Sequence, residues 1–572
     1  MKKLIRAFTL VTSLVLVFSM LSACSTATPQ AQTSAPIVQA TASEASTVQP
    51  TTTITATATA TEAVKVDTSK KIKISMATYG QYAVAKDAKY LKIMDDKYNI
   101  DLDIWECYGD EYITQVNARI AGGEIPDIIN MSPGLSVPEY VKQGIIIEVP
   151  ETFIQQYLPK YYADLYSTSQ APFKYCKING KNYGIPGTSA DGIYHFTVIW
   201  RSDWLKNVGI DKTPETIDEF EAAFYKFTNE DPDKNGKKDT YGLSNLGMIP
   251  VFGAFGYIPY NNSPDKLAEY NALKDNKIVH ASTQPEMKDA LKLLNKWYKD
   301  GVIDPEFVTG ERKEGHWSAS QAFATGRIGY TSSGMYYNTG RTSEIGRDGR
   351  VYKLVVDTQK ALGNTTADYI HGRPPIGKDG KSGTIKWGVE EGVCFAFGKS
   401  LENDLEKQIR IAMWFDDLWM TQDNYMSAIY GIKGVDWTQD SATGALQTGL
   451  GPDTKEAFAN DETTKIGLGF MFVPDVVSAM KKETPKYYEF ADKVASYTPD
   501  YVDPVGGAPL ESVTKYGTDL AKITLTAYYD MITGKKDVDT YFDQYVKQWE
   551  AAGGIELLKE ANVWWSANGS SK

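Results

Sequence analysis

Residues Ile72 to Ala77 alternate apolar with small or polar side chains, Leu91 to Tyr98 is compatible with a helix, and Ile100 to Trp105 alternates again. Side chains on a strand point to opposite faces with a period of two, so each alternating run is expected as a half-buried strand. Strand, helix, strand at this spacing points to a βαβ unit and hence to an α/β fold. With 572 residues the chain is too long for one hydrophobic core, so two or more domains are expected.

Three helices can be read farther on. Thr216 and Glu219 have the spacing of a capping box, and Phe220, Ala223, Phe224 and Phe227 follow at helical intervals. A second helix places Met287, Ala290, Leu291, Leu294 and Tyr298 on one face and is stopped by Gly301, with Pro305 beyond it. A third, from Arg410 to Met420, puts Ile411, Trp414, Phe415 and Leu418 on one side, with Asp416 and Asp417 toward the other. No internal repeat of solenoid length is present.

Lys2, Lys3 and Arg6 precede an apolar run from Leu10 to Leu21, the layout of a secretory signal over 1–23. That run is too short to span a bilayer comfortably. It ends in Leu21-Ser22-Ala23-Cys24, which resembles the lipobox of bacterial lipoproteins and implies acylation of Cys24. Residues 24–69 are dominated by Ser, Thr, Ala, Gln and Pro, too little apolar surface to offset chain entropy, and are expected as a flexible tether. The formal charge of −12 becomes more negative by three when the signal is removed, which excludes a nucleic-acid binder. Membrane attachment is then expected through lipid alone, because an acidic surface does not attract anionic lipid. Beyond Cys24 only Cys107, Cys176 and Cys394 remain, widely spaced, so no disulfide framework is implied. Four histidines without metal-ligand spacing give no zinc site or catalytic triad.

Several segments, in the same order, resemble the family 1 extracellular solute-binding proteins of bacterial ABC importers, especially the large lipoprotein members. They are Gly123-Glu-Ile-Pro-Asp127-Ile-Ile129, Gly180-Lys-Asn-Tyr-Gly-Ile-Pro186, Trp200-Arg-Ser-Asp203-Trp-Leu205, Thr213 to Phe220, Trp297 to Glu306, and Phe323-Ala-Thr-Gly-Arg-Ile-Gly-Tyr330. Their collinear order carries the resemblance, since each alone is short. It implies a two-lobed periplasmic-binding-protein-like fold of type II, with hinge crossovers and the ligand in an interlobe cleft. By this analogy one lobe comprises 70–186 with 376–440, and the other 187–375 with 441–572. The implied role is capture of an oligosaccharide by lobe closure and delivery to an ABC permease, as a monomer without catalysis.

Asp231-Pro-Asp233-Lys-Asn235-Gly236-Lys237-Lys-Asp239 places oxygen donors at positions 1, 3, 5 and 9 of an EF-hand-like loop, with glycine at 6 and the Lys237 carbonyl at 7. Gly242 stands where an EF-hand has its bidentate Glu, and Thr240 to Leu243 reads as strand. The loop resembles the structural calcium site of alginate-binding relatives, with Thr240 in place of a further acidic ligand. The alternative is a tight turn without metal.

Aromatic residues reach 12%, with 12 Trp, 36 Tyr and 20 Phe, and their faces can stack on the C–H faces of sugars. Cleft candidates in loops expected after strands are Tyr79, Asn130, Ser132, Tyr194, Phe255, Tyr257, Tyr336, Tyr337, Trp387, Glu390, Glu391 and Trp437. Lys433 replaces an acidic residue that relatives often carry in the Tyr430 to Trp437 segment. Alternative readings are a peptide-binding importer component, a sensor or adhesin lipoprotein, and a secreted glycoside hydrolase. The hydrolase needs two carboxyls facing each other, whereas Glu390 and Glu391 are adjacent, which in a strand sends them to opposite faces.

Overall fold

The computed structural model describes residues 66–569, apart from 79–83, 85–86, 106, 108–110, 132–134, 170–171, 189–195, 260–270, 309–315, 334–357, 387–393, 440–445 and all of 452–499 except Asp492 and Ser496. The strand, helix and strand read from the sequence are Ile72–Ala77, Lys89–Tyr98 and Ile100–Ile104. The helix buries Tyr90 and Met94, and Asn99 closes it in the left-handed conformation, φ 52°, which asparagine tolerates. The chain therefore turns straight into the next strand. The two strands pair in parallel from Ile72↔Ile100 to Met76↔Ile104.

Ile128–Met131 adds in parallel on the other side, and the sheet runs in the order Ile100–Ile104, Ile72–Ala77, Ile128–Met131, Cys394–Phe397, Ile185–Pro186. The fourth of these strands arrives from far downstream and is antiparallel to both of its neighbours. Asp127 fixes its surroundings: its carboxylate accepts from the Ser75 amide (2.7 Å), the Ser400 hydroxyl (3.0 Å) and Lys407 Nζ (2.7 Å). The helix Leu405–Met420 packs Ile411, Trp414, Phe415 and Leu418 beneath this sheet, as its periodicity predicts. Asp416 departs from the expectation of an outward face. It is buried, its carboxylate accepts from the Tyr161 amide at 2.8 Å, and burial raises its pKa.

A second body is built on the antiparallel sheet Tyr330–Ser333, Thr197–Arg201, Tyr369–Gly372. The capping box forms, with the Glu219 amide donating to Thr216 Oγ1 (3.3 Å) and the Thr216 amide to Glu219 Oε2 (3.2 Å). The helix it starts, Ile217–Asn229, buries Phe220, Ala223, Phe224 and Phe227 against the central strand. Rings there meet edge to face, Trp200 with Phe220 at 4.8 Å and Phe224 with Trp297 at 5.3 Å. The helix Met287–Lys299 has Trp297, rather than Tyr298, fully buried, and Gly301 at φ 74° ends it as read. The helices Glu511–Ile532, Val538–Trp549 and Ile555–Asn568 complete the same core.

Two sets of pairings lie near the boundaries expected between the lobes. Ile376 exchanges hydrogen bonds with Glu215 and Ile217, and Thr384–Ile385 pairs with Asp500–Tyr501, with Ile385 in the second core. Residues 376–386 thus pack with the second body, and the return crossing comes after them. Leu446–Thr448 instead pairs with Trp437–Gln439, so the first body extends past 440. The reason is hydrogen-bond pairing, which no local pattern encodes.

His371 lies on the strand beside Ile199. Both ring nitrogens are buried although the residue keeps some exposed surface, and desolvation lowers its pKa to about 4. The unfolded chain binds this proton from about pH 6.5 downward and the folded chain only near pH 4, so stability is lost as pH falls through that window. The loss should be about 1 kcal/mol per pH unit. Comparison of urea melts of the wild type and His371→Gln at pH 7 and pH 5 checks this; equal pH slopes would exclude His371 as the cause.

Candidate functional site

The parallel strands Ile72–Ala77, Ile100–Ile104 and Ile128–Met131 end side by side, and in open α/β sheets ligands bind beyond such carboxyl ends. Tyr112 ties two of these ends together, its hydroxyl lying 2.8 Å from the Asn130 carbonyl and 3.2 Å from the Ala77 carbonyl. Arg119 stacks on Trp105 at the third, 3.8 Å from the ring centroid. From the same region the chain crosses to the second body after Ile185–Pro186 and returns into Cys394–Phe397, two strands paired as neighbours. A cleft flanked by two crossing segments is the arrangement that lets one body rotate toward the other.

Of the cleft candidates, Asn130 sits fully buried at the end of its strand, next to these crossings. Phe255 and Tyr257 share the turn after the helix Asn245–Gly253 and pack on the second core. The end of that helix is held against the segment before the second crossing so closely that a Cβ on Gly253 would fall 2.1 Å from the Gly383 carbonyl oxygen. Trp437 is placed in the first core instead of on an open surface, 1% exposed, and its indole N–H donates to the Gly431 carbonyl at 3.0 Å. Lys433 lies on the exposed side of the same loop and pairs with Asp423 at 2.7 Å. Tyr79, Ser132, Tyr194, Tyr336, Tyr337, Trp387, Glu390, Glu391 and the lipidation candidate Cys24 lie outside the described residues.

Three hydroxyls not singled out from the sequence also border this region. Thr78, Ser332 and Thr384 are buried, and their oxygens have no partner among the described residues. Thr78 and Ser332 lie at or near the ends of their strands, and Thr384 begins the short strand that leads into the return crossing. Nothing in composition or spacing marks a serine or threonine as such a residue.

The EF-hand-like loop gathers Asp231, Asp233 and Asp239 around Asn235. The Asn235 amide accepts no role as ligand as it stands: its Nδ2 donates to Asp233 (2.8 Å) and Asp239 (3.1 Å), filling the centre. The Gly236 amide donates to Asp231 (3.0 Å) and the Lys237 amide to Asn235 Oδ1 (2.7 Å). Burial, with Asp231 and Asp239 adding to it, pushes the Asp233 carboxyl up. Thr240, expected as the remaining ligand, turns inward and donates to the Phe227 carbonyl at 2.7 Å. Gly242 explains the missing Glu, since a Cβ there would meet Phe224 Cβ at 2.7 Å. The expected strand from Thr240 to Leu243 is reduced to single bridges, Tyr241 to Ile328 and Leu243 to Ile303. Among the described residues no group of three or more His, Cys, Asp or Glu is arranged to hold a metal ion.

A family model described as bacterial extracellular solute-binding protein matches residues 89–337. That match covers less than half of the chain. Over 511 residues the chain is 26% identical to the polygalacturonan/rhamnogalacturonan-binding protein YtcQ of Bacillus subtilis (strain 168), covering 87% of this chain and 92% of the relative. Its fold is similar to that of the alginate-binding protein AlgQ2 without calcium ion, with a TM-score of 0.62 at 18% identity, covering 87% of this chain and 98% of the other. It is similar also to an EF-hand mutant of the ABC-transporter substrate-binding protein FusA of Streptococcus pneumoniae in complex with fructo-nystose, with a TM-score of 0.62 at 19% identity, covering 88% and 100%. The fold is the two-lobed type II arrangement of these solved binding proteins.

Several of the motif residues form internal framework. Asp304 accepts both Arg327 Nε (2.6 Å) and Nη2 (2.8 Å), joining two of the downstream segments. Gly184 is needed because Cys394 Sγ would lie 1.9 Å from a Cβ there. Arg201 and Asp203 form a bidentate pair inside the second body.

Proposed function

We propose that this protein captures an oligosaccharide between its two lobes and hands it to an ABC importer permease, without catalysing a reaction. The observation that carries this is the full-length similarity to a polygalacturonan/rhamnogalacturonan-binding protein, together with a type II fold that matches glycan-binding relatives from end to end. The lobes correspond to the two bodies, about 70–186 with the segment from 394 to 450, and the remainder. Closure brings strand ends of one lobe to the turn carrying Phe255 and Tyr257 on the other, and the ligand stabilises the closed state by its differential affinity. Cleavage after Ala23, acylation of Cys24 and the tether that follows would hold a monomeric body outside the cytoplasm, anchored by lipid. No described helix is long and apolar enough to cross a membrane.

A thermal-shift screen of the body against oligosaccharides, monosaccharides and peptides tests the reading. One class of glycan should raise the melting temperature, by about 2.7 kcal/mol of stabilisation at a hundredfold excess over Kd. The glycan should be recovered intact after prolonged incubation. Cleavage would make the protein a hydrolase, and a shift with peptides alone would remove the sugar.

We propose that the Asp231 to Asp239 loop takes up a structural calcium ion once its side chains rearrange. Three carboxylates, the Lys237 carbonyl and, after its carboxamide turns, Asn235 Oδ1 would supply hard oxygen donors, and a cation would offset the burial and the neighbouring carboxylates that raise Asp233. Calcium would supply a rigid staple only. Metal analysis should find one calcium per chain, lost with a chelator or in Asp233→Asn, and binding should weaken as pH falls toward the raised Asp233 pKa. Protein purified in calcium that carries none would refute the site.

A further inference from the structure

We propose that Cys176 and Cys394 become a disulfide in the exported protein, a cross-link at the root of the two crossing segments. The sequence gives no hint of the pair, because more than two hundred residues separate the two thiols. Tertiary structure brings them together in three steps. Cys176 ends the turn before the hairpin Lys177–Ile178/Lys181–Asn182, and its carbonyl accepts from the Tyr183 amide at 2.9 Å. Gly184 follows, and Cys394 Sγ lies against it, 1.9 Å from where a Cβ would be. The Ile185–Pro186 strand then pairs with Cys394–Phe397, Cys394 opposite Pro186. Both side chains are buried in one small core cluster, with Cys176 near enough to Cys394 to raise its pKa.

The third thiol in that cluster, Cys107, is engaged with Arg119. The neighbouring Cys176, with burial adding to it, raises the pKa of Cys394, so in the folded protein Cys394 is a poor nucleophile. Oxidation therefore belongs to the folding stage, while the thiols are exposed. In the step, both S–H bonds break and one S–S bond forms; the two electrons and two protons go to a disulfide oxidant of the thiol-exchange class, which leaves as two thiols. Once formed and buried, the bond meets reductant only when the fold opens, as it does during thermal unfolding.

Its position gives it a mechanical role. It would join the turn at Cys176 to the strand by which the chain returns from the second lobe. Tyr175, the preceding residue, stacks on Trp564 of the second lobe at 6.0 Å and 6° between planes. One bond would thus fix the start of a crossing segment and an interlobe contact together.

The proposal rests on the extracytoplasmic placement proposed above, and the test separates the two. The full chain is incubated with glutathione and its disulfide at low urea, which opens the pair transiently, then alkylated, digested without reductant and mapped by mass spectrometry. Most molecules should carry a Cys176–Cys394 linked peptide, with Cys107 alkylated as a thiol. Full alkylation of Cys176 and Cys394, or linkage through Cys107, would overturn the proposal whatever the compartment. Localisation is read separately, by fractionation of cells. Reductant should lower the melting temperature of the linked protein by about 5 °C and leave the Cys176→Ala/Cys394→Ala double variant unchanged. Equal shifts in both would overturn the stabilising cross-link.

Discussion

Asp203→Ala should cost about 3–5 kcal/mol of folding stability, the range for removing one partner of a buried ion pair. The Arg201 side chain has 0% of its surface exposed and that of Asp203 has 8%. Its guanidinium donates through Nε (2.8 Å) and Nη2 (2.6 Å) to the two carboxylate oxygens, and the remaining contact, to Gln359 Oε1 at 3.3 Å, cannot replace them. Alanine would leave a full charge in the second core with no counter-charge. Urea denaturation of the single variant measures the cost. The double replacement Arg201→Met/Asp203→Leu is expected to recover most of it, because desolvation of the pair offsets much of its attraction. A loss below about 1 kcal/mol in the single variant would show that the pair is not isolated from water.

Asp127→Ala is expected to cost about 3 kcal/mol, the lower end of the same range. Four donors converge on this carboxylate: the Ser75 amide and hydroxyl, the Ser400 hydroxyl and Lys407. Lys407 keeps 21% of its side chain exposed and can recover water, which is why the effect is the smaller of the two. The Ser75 amide belongs to the central strand and cannot. Asp127→Asn retains some acceptor capacity and should fall between wild type and alanine; an asparagine variant less stable than alanine would mean that shape, not hydrogen bonding, decides the site. Because Asp127 sits immediately before the strand carrying Asn130, the alanine variant should also weaken glycan binding by loosening that strand end.

Both residues belong to segments whose order along the chain marks the family, yet neither faces a ligand. Gly123-Glu-Ile-Pro-Asp127 joins a strand to the helix Leu405–Met420, and the Asp304–Arg327 pair joins two other such segments. In this chain these motif residues hold segments of the fold together.

Local patterning determined a good deal. Alternation over Ile72–Ala77 and Ile100–Ile104 specified strands, the Thr216–Glu219 box fixed a helix start, and the 3.6-residue spacing of Phe220, Phe224 and Phe227 fixed the face it buries. Each of these depends only on neighbours within a few residues, so sequence alone is enough. Tertiary structure alone decided the rest. It buried Trp437 and Asp416, turned Thr240 inward, kept residues 376–386 with the second body, and brought Cys176 to Cys394. For three of these the deciding partner lies far away in sequence: Tyr161 for Asp416, Tyr501 for Ile385, Gly184 and Pro186 for Cys394. Periodicity states which side of an element is apolar; which distant segment covers that side is chosen by packing and hydrogen-bond pairing across the whole fold.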